Sequence, residues 1–153
     1  MGFLRTMYGI GMAKDDPRNF LVEAMVAAID ADGVVSETEL DALHRKLDTH
    51  ELFTALTQET KERLIDNAAD AIERAGGGRA RMAAIASGLP SRAERVMAYS
   101  LACEMCVADN DLAEKEITFL EGLQEAFGLP DEEAKGKYDA TANSAQKLPA
   151  RQG

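Results

Sequence analysis

Carboxylates crowd into one short stretch, residues 28–40, whose sequence is AIDADGVVSETEL. Carboxylate oxygens are hard ligands that suit divalent cations such as Ca²⁺, Mg²⁺ and Mn²⁺. An EF-hand calcium loop is nevertheless disfavoured. Setting Gly33 at its sixth position leaves Ala28 at the first, where a carboxylate is essential. The stretch therefore predicts oxygen ligands for a cation without predicting a complete EF-hand loop.

The same stretch has a structural interpretation. Gly33 can adopt the positive φ that often ends a helix, and Ser36-x-x-Glu39 is a capping box for the next helix. We expect Val35 to anchor this turn in the core. A capping role and a ligand role do not exclude each other, so both remain open at this point.

An internal repeat is indicated by a shift of 77 residues, which aligns ADGVVSETELDAL at 31–43 with ADNDLAEKEITFL at 108–120. Asp32 then meets Asp109, and Glu39 meets Glu116. The preceding apolar helices align as well. The repeat predicts a duplicated unit of helix, acidic turn and helix.

Helical spacing of apolar residues predicts an all-α protein, a compact bundle of about seven or eight helices built from two pseudo-symmetric helix-turn-helix repeats. Low aromatic content (5%) and the absence of Trp favour closely packed helices over a β-sandwich. The predicted helices lie at 17–31, 40–47, 52–56, 64–75, 82–86, 91–107 and 117–127, with one or two further turns from Pro130.

An Ala-rich helix that ends in A-D-G-x-V-S-x-x-E, followed by a second copy before F-G-L-P, resembles the TerB-like tellurite-resistance family. The resemblance spans residues 17–135 and is weaker in the second copy, where Asn110 replaces glycine and Ala113 replaces serine. It implies a small helical fold of two pseudo-symmetric halves and a bacterial role in tellurite or chemical-stress resistance. A related domain occurs in a membrane-anchored J-domain co-chaperone, and no enzyme activity is implied.

The resemblance also implies metal binding through the acidic turns. If a pseudo-twofold axis relates the halves, both turns can offer carboxylates to a divalent cation, Ca²⁺, Mg²⁺ or Mn²⁺. The predicted metal ligands are Asp30, Asp32, Glu39, Asp109, Asp111 and Glu116. No other cofactor is predicted.

The formal net charge of −10 disfavours binding to nucleic acid, because the chain would repel a phosphate backbone. Arginines at 74, 79, 81, 92 and 95 form one basic stretch, which is either a solvated surface or an anion-binding face. An unidentified protein partner is expected for a binding or scaffold module, and a homodimer is an alternative.

Other sequence patterns do not predict chemistry. Cys103 and Cys106 have redox-motif spacing, but they lie near a helix carboxyl end beside acidic residues, so we expect buried, unreactive thiols. His44 and His50 have no spacing that would complete a zinc site with these cysteines. No nucleophile motif or phosphate loop appears, and a non-enzymatic protein is predicted.

Three segments are predicted: an apolar arm at 1–15, the helical domain at 16–140 and a flexible polar tail at 141–153. Two cysteines are too few for a disulfide framework, which favours the cytoplasm. The arm either docks on the domain or makes peripheral membrane contact through residues 2–13. The alternative function is therefore a membrane-proximal adaptor or co-chaperone-type interaction domain that uses this arm.

Overall fold

The computed structural model describes residues 12–33, 35–108 and 114–152, and within these ranges the chain is helical with no β-strand. This confirms the predicted all-α bundle. The described residues contain seven helices: α1 (Pro17–Asp30), α2 (Glu37–Thr49), α3 (Gln58–Ala75), α4 (Gly78–Ser87), α5 (Arg92–Cys106), α6 (Glu114–Phe127) and α7 (Asp131–Gln152).

Helices α1 and α5 form the centre of the bundle and pack extensively against each other. Helix α1 begins at Pro17. Proline has no backbone N–H, and the first residue of a helix needs none because its N–H has no partner within the helix. The Asp16 side chain caps the helix by accepting a hydrogen bond from the Arg18 amide at 2.9 Å. From Leu21 to Ile29 every residue of α1 except Val26 is buried. A helix that is covered on nearly all sides belongs in a core, which explains the uniformly apolar and Ala-rich sequence of α1.

The outer helices contact the central pair reciprocally. Helix α2 packs on α1 and also on α5, whereas α6 packs on α5 and also on α1. Likewise, α3 packs on α1 and α7 packs on α5, while α4 joins the halves and contacts α1, α3 and α6. Such reciprocal contacts favour the predicted repeat of helical hairpins, which stays a prediction.

The segment between α2 and α3 is not helical, so the predicted short helix at 52–56 is wrong. Helix α2 ends because His50 adopts an extended conformation, and the His50 Nδ1 accepts a hydrogen bond from the Leu52 amide at 3.1 Å. Isolated turns follow before Thr57 caps α3. Phe53 is nevertheless fully buried, so the apolar spacing in this segment indicated burial rather than a helix.

Helix α7 is much longer than the one or two turns predicted from Pro130. Its first turn contains three acidic residues, Asp131 to Glu133, whose negative charges interact favourably with the positive end of the helix dipole. Ala134 is buried and Tyr138 packs against the core, which attaches the first half of α7 to the bundle. The helix then continues through the polar sequence that follows Thr141. The flexibility predicted for residues 141–153 stays a prediction.

Residues 1–11 of the predicted arm lie outside the described part of the chain. The described remainder is in contact with the domain, because Met12 packs against the core and the Asn19 amide group donates to the Ala13 carbonyl at 2.9 Å.

Candidate functional site at the acidic corners

The first acidic corner connects α1 to α2. Helix α1 ends at Asp30, and the Gly33 amide donates to the Asp30 carbonyl at 2.9 Å. Gly33 has φ 80°, which confirms the predicted left-handed turn. A side chain at this position would be strained even though no neighbouring atom lies close to the glycine.

Ser36 and Glu39 form the predicted capping box, which the structure confirms. The Ser36 Oγ accepts a hydrogen bond from the Glu39 amide at 3.1 Å, and the Glu39 Oε1 accepts one from the Ser36 amide at 3.1 Å. The Ser36 hydroxyl also lies 3.1 Å from the same Glu39 oxygen. Glu39 is buried, with only 2% of the residue exposed.

Val35 does not anchor the corner in the core, so that prediction is wrong. Val35 is 44% exposed and Leu40 is 39% exposed. The inward side of the first turn of α2 is taken by Glu39, and the apolar contacts of this helix are made further along by Leu43 and Leu47. Val35 and Leu40 are therefore exposed to solvent at this corner.

The second acidic corner has the same burial pattern in its described part. Helix α6 begins at Glu114, Glu116 is 1% exposed, and Ile117 is 42% exposed. A buried glutamate followed by an exposed aliphatic residue thus occurs at the start of both α2 and α6. The predicted ligands Asp109 and Asp111 belong to residues 109–113, which lie outside the described residues.

Helix α5 ends at Cys106, which is buried. Burial is the main cause that raises the pKa of the Cys106 thiol, and the nearby charges of Glu116, Glu39 and Asp32 raise it further. These three carboxylates come from two corners, and the charge of each acts on this one thiol. We call this region, defined by Asp32, Glu39 and Glu116 around Cys106, the acidic end.

The described residues alone do not complete a metal site. Within the described ranges, no group of three or more His, Cys, Asp or Glu side chains is arranged to hold an ion. Glu39 and Glu116 are buried, and one Glu39 oxygen accepts the capping hydrogen bonds. Asp32 is half-buried and Asp30 is exposed. A cation at the acidic end would therefore need ligands from the segment that contains Asp109 and Asp111.

The two cysteines are free and fully buried, as predicted. Burial raises the pKa of the Cys103 thiol to about 12, although a hydrogen bond with Tyr99 partly offsets this effect. Because the thiolate is the reactive form, both thiols are protonated and unreactive at neutral pH.

The basic stretch of the sequence is used for contacts within the bundle. The Arg81 guanidinium donates to both carboxylate oxygens of Glu23, which is 4% exposed, at 2.5 and 2.9 Å. Arg95 donates to three backbone carbonyl oxygens at the ends of α4 and α6, those of Ala86, Leu89 and Phe127. Glu23 in the middle of an apolar helix was the signal in the sequence for a buried ion pair.

Two further arginines of this stretch form surface ion pairs. Arg74 pairs with Asp70 on α3 at 3.0 Å, and Arg92 pairs with Glu133 of α7. With four of the five arginines paired with carboxylates or backbone carbonyls, the stretch does not form a single anion-binding face. Arg79 is exposed on the first turn of α4.

None of the described helices combines the length and the apolar composition that crossing a bilayer requires. Peripheral membrane contact through residues 2–13 concerns a segment that lies mostly outside the described ranges and stays a prediction.

Comparison with known proteins identifies one family. The family model described as "Tellurite resistance protein TerB" matches residues 16–137. The match covers both acidic corners and helices α1 to α6, together with the start of α7. No curated protein and no solved structure gives a significant match.

Proposed function

Since this chain belongs to the TerB family of tellurite-resistance proteins, we propose that it is a non-enzymatic binding module that attracts a divalent cation to its acidic end. The observation that carries the proposal is the convergence of Asp32, Glu39 and Glu116 around the carboxyl end of α5. Carboxylates from two separate corners repel one another when they share one end of a molecule. A cation would reduce this repulsion.

The residues at this end would have different roles. Glu39 holds the first corner in shape through the capping box, and its buried side chain is a positioning group rather than an open ligand. Asp32, at the more accessible edge, would contact the cation together with Asp109 and Asp111 of the second corner. Oxygen ligands of this kind select hard cations, so Ca²⁺, Mg²⁺ and Mn²⁺ are the candidates.

Two features support a role in binding rather than catalysis. The only thiols of the chain are buried, and the raised pKa of Cys103 keeps it protonated. The buried ion pair of Glu23 and Arg81 joins two helices inside the bundle and has a structural role. Family membership supports the proposed role in the bacterial response to tellurite or chemical stress.

The test is thermal unfolding with and without Ca²⁺, Mg²⁺ or Mn²⁺. An ion that binds only the folded state should stabilise it by about 2.7 kcal/mol when the free ion concentration is about 100 times the Kd. The double variant Asp32→Asn/Asp109→Asn should lose this stabilisation. Its control is Glu62→Gln/Asp66→Asn, which removes the same charge from exposed positions on α3. Melting temperatures that no cation raises would overturn the proposal, as would equal responses of the two variants.

The stress role has a separate test in cells. A bacterial strain that lacks this gene should grow less well on tellurite, and the wild-type gene should restore growth. The Asp32→Asn/Asp109→Asn variant should restore it poorly although the protein accumulates to the same level. Growth on tellurite that does not depend on the gene would contradict the stress role. It would not affect the cation proposal, which the thermal unfolding experiment tests.

A further inference from the structure

Helix α4 covers one face of the central helix α1. In the middle of this face, the Arg81 guanidinium donates to both carboxylate oxygens of Glu23. On either side, a glycine of α4 allows close approach, because a Cβ atom on these glycines would lie 2.9 and 2.3 Å from side-chain atoms of α1. The glycines and their α1 neighbours are Gly78 with Ala27 and Gly88 with Phe20.

The corresponding face of α5 carries no described helix. The repeat shift of 77 residues assigns the three α1 residues under α4 to Met97, Ser100 and Glu104, which lie on one face of α5 because they are three and four positions apart. Ser100 and Glu104 are half-buried, whereas their counterparts in α1 are buried. Within the described ranges, the main neighbours of α1 are α2 to α6, but those of α5 are α1, α2, α6 and α7. Helix α5 therefore lacks a counterpart of α4, and we call these three residues the open face.

The open face is connected to the start of α1 through the end of α2. The Lys46 Nζ of α2 lies 2.5 Å from the Glu104 Oε1. Four residues later, a distance of about 6 Å along a helix, α2 reaches its C-cap at His50. The His50 Nδ1 accepts from the Leu52 amide, and the Leu52 carbonyl accepts from the Arg18 guanidinium at 3.3 Å. Residues 1–11 join the described chain just before this point.

Residues 2–11, GFLRTMYGIG, have the composition and length of a segment that fits such a face. Apolar residues recur at helical spacing, and Arg5 is the only charged residue. Helix α4 is also ten residues long and likewise contributes an arginine to its contact with a central helix. Ten residues span about 15 Å as a helix and at most about 36 Å when extended, so the segment can reach the open face along the end of α2. The apolar residues are Phe3, Leu4, Met7 and Tyr8.

We propose that residues 2–11 dock on the open face of α5, as α4 does on α1. The apolar side chains of the segment would cover Met97 and Ser100, and Arg5 would pair with Glu104. Docking would also withhold these apolar side chains from a membrane. This inference goes beyond the proposed cation binding and does not depend on it.

Tethering favours this occupant over a second copy of the chain. A segment that belongs to the same molecule has an effective concentration on the order of millimolar, whereas a second copy must bring up another net charge of −10. The exposed large hydrophobic residues that a second copy would offer from its described part do not share one helix face, since they lie in a turn, on α2 and on α6. They are Val35, Leu40 and Ile117.

Ser100→Cys places a reporter thiol on the open face. The two cysteines of the chain are free and fully buried, so the new thiol is the one that reacts with a maleimide dye in the folded protein. The labelling rate is measured in the full chain and in a variant from which residues 2–11 are deleted. Thr118→Cys, at an exposed position on α6, is the matched control. All measurements are made in chelator, where no divalent ion contributes.

Deletion of residues 2–11 should raise the labelling rate of Ser100→Cys at least about tenfold, because a docked segment protects the thiol except when it opens. The rate of Thr118→Cys should stay unchanged. An unchanged Ser100→Cys rate in the folded deletion variant would overturn the proposal. So would protection that increases with protein concentration, which assigns the open face to a second copy. Vesicle binding that needs residues 2–11 but leaves the Ser100→Cys rate unchanged would assign the segment to lipid instead.

Phe3→Ser/Met7→Ser provides the same test if the deletion variant does not fold. Unfolding is detected as a loss of helical circular dichroism and as labelling of Cys103 and Cys106 in protein without the reporter thiol. The double variant removes two apolar side chains of the segment and should raise the Ser100→Cys rate in a folded chain. A folded double variant that is labelled as slowly as the full chain would contradict docking. Either result leaves the cation proposal to its own thermal unfolding test.

Discussion

The two corners of the molecule reach the same burial pattern with different local chemistry. Glu39 and Glu116 are buried, Leu40 and Ile117 are exposed, and Leu43 and Leu120 are again buried. The first corner has a complete capping box, but the sequence of the second has Ala113 where the first has Ser36. The direction in which α2 and α6 point their side chains is therefore set mainly by packing on α1 and α5 rather than by the cap.

The central helices differ more than the corners do. Helix α1 contains Glu23, paired with Arg81 of α4, whereas the equivalent position in α5 is Ser100. Ile29 near the end of α1 corresponds to Cys106 at the end of α5. The first half thus contacts the linking helix α4 through the buried carboxylate of Glu23. The second half instead supplies Cys106, the thiol on which the charges of Asp32, Glu39 and Glu116 act.

The largest expected effect tests whether the halves are equivalent in the core. Leu43→Ala and Leu120→Ala should each lower the free energy of unfolding by about 2–5 kcal/mol, because each leaves a cavity at a buried position. The measurement is urea denaturation followed by circular dichroism. A loss confined to one of the two variants would break the equivalence of α2 and α6.

The next effect tests the asymmetry between the central helices. Glu23→Ala should cost about 1–3 kcal/mol, because it removes the acceptor of a partly exposed Arg81. Ser100→Ala, the equivalent change in α5, should alter stability by less than about 0.5 kcal/mol. Similar losses in both variants, measured by the same denaturation experiment, would show that the ion pair does not distinguish the halves.

A smaller effect compares the two caps directly. Ser36→Ala should cost about 1 kcal/mol, since it removes the hydroxyl that accepts from the Glu39 amide. Ala113→Ser lies outside the described residues, and if the second corner repeats the first it should stabilise the protein by about 0.5–1 kcal/mol. A destabilised Ala113→Ser variant would mean that the second helix starts in a different geometry.

The smallest effect at neutral pH concerns the thiol that distinguishes the end of α5. Burial raises the pKa of Cys106 above its value in the unfolded chain, so the unfolded state loses its proton first as the pH rises. Stability should therefore be unaffected at pH 7 and should fall above about pH 9. Cys106→Ala should reduce this alkaline loss, as measured by urea denaturation between pH 7 and 10.5. If Cys106→Ala loses as much stability as the wild-type protein at alkaline pH, the effect comes from other titrating groups.

Local features were predictable from the sequence because they depend on neighbouring residues. The capping box of Ser36 and Glu39 and the left-handed turn at Gly33 involve partners within a few positions, and both are present in the structure. The TerB-family resemblance is likewise confirmed by the match to residues 16–137.

Features that depend on tertiary packing were not predictable in the same way. Spacing marked Val35 and Phe53 as apolar, but only the packed helices determine that Val35 is exposed and that Phe53 is buried within turns. The extent of α7 was missed because its polar carboxyl half shows no helical periodicity. The relative position of the two corners depends on how α2 and α6 pack on both central helices. A local sequence pattern does not predict such packing.

Manganese-induced line broadening in an amide NMR spectrum tests the central claim most directly. One ion at the acidic end should broaden the amide signals of residues 30–40 and 105–117 together at the same substoichiometric Mn²⁺ concentration. Signals from the exposed acidic face of α3, around Glu62 and Asp66, should stay sharp. Broadening that is confined to α3, or that is absent from both corners, would contradict a shared cation site at the end of α5.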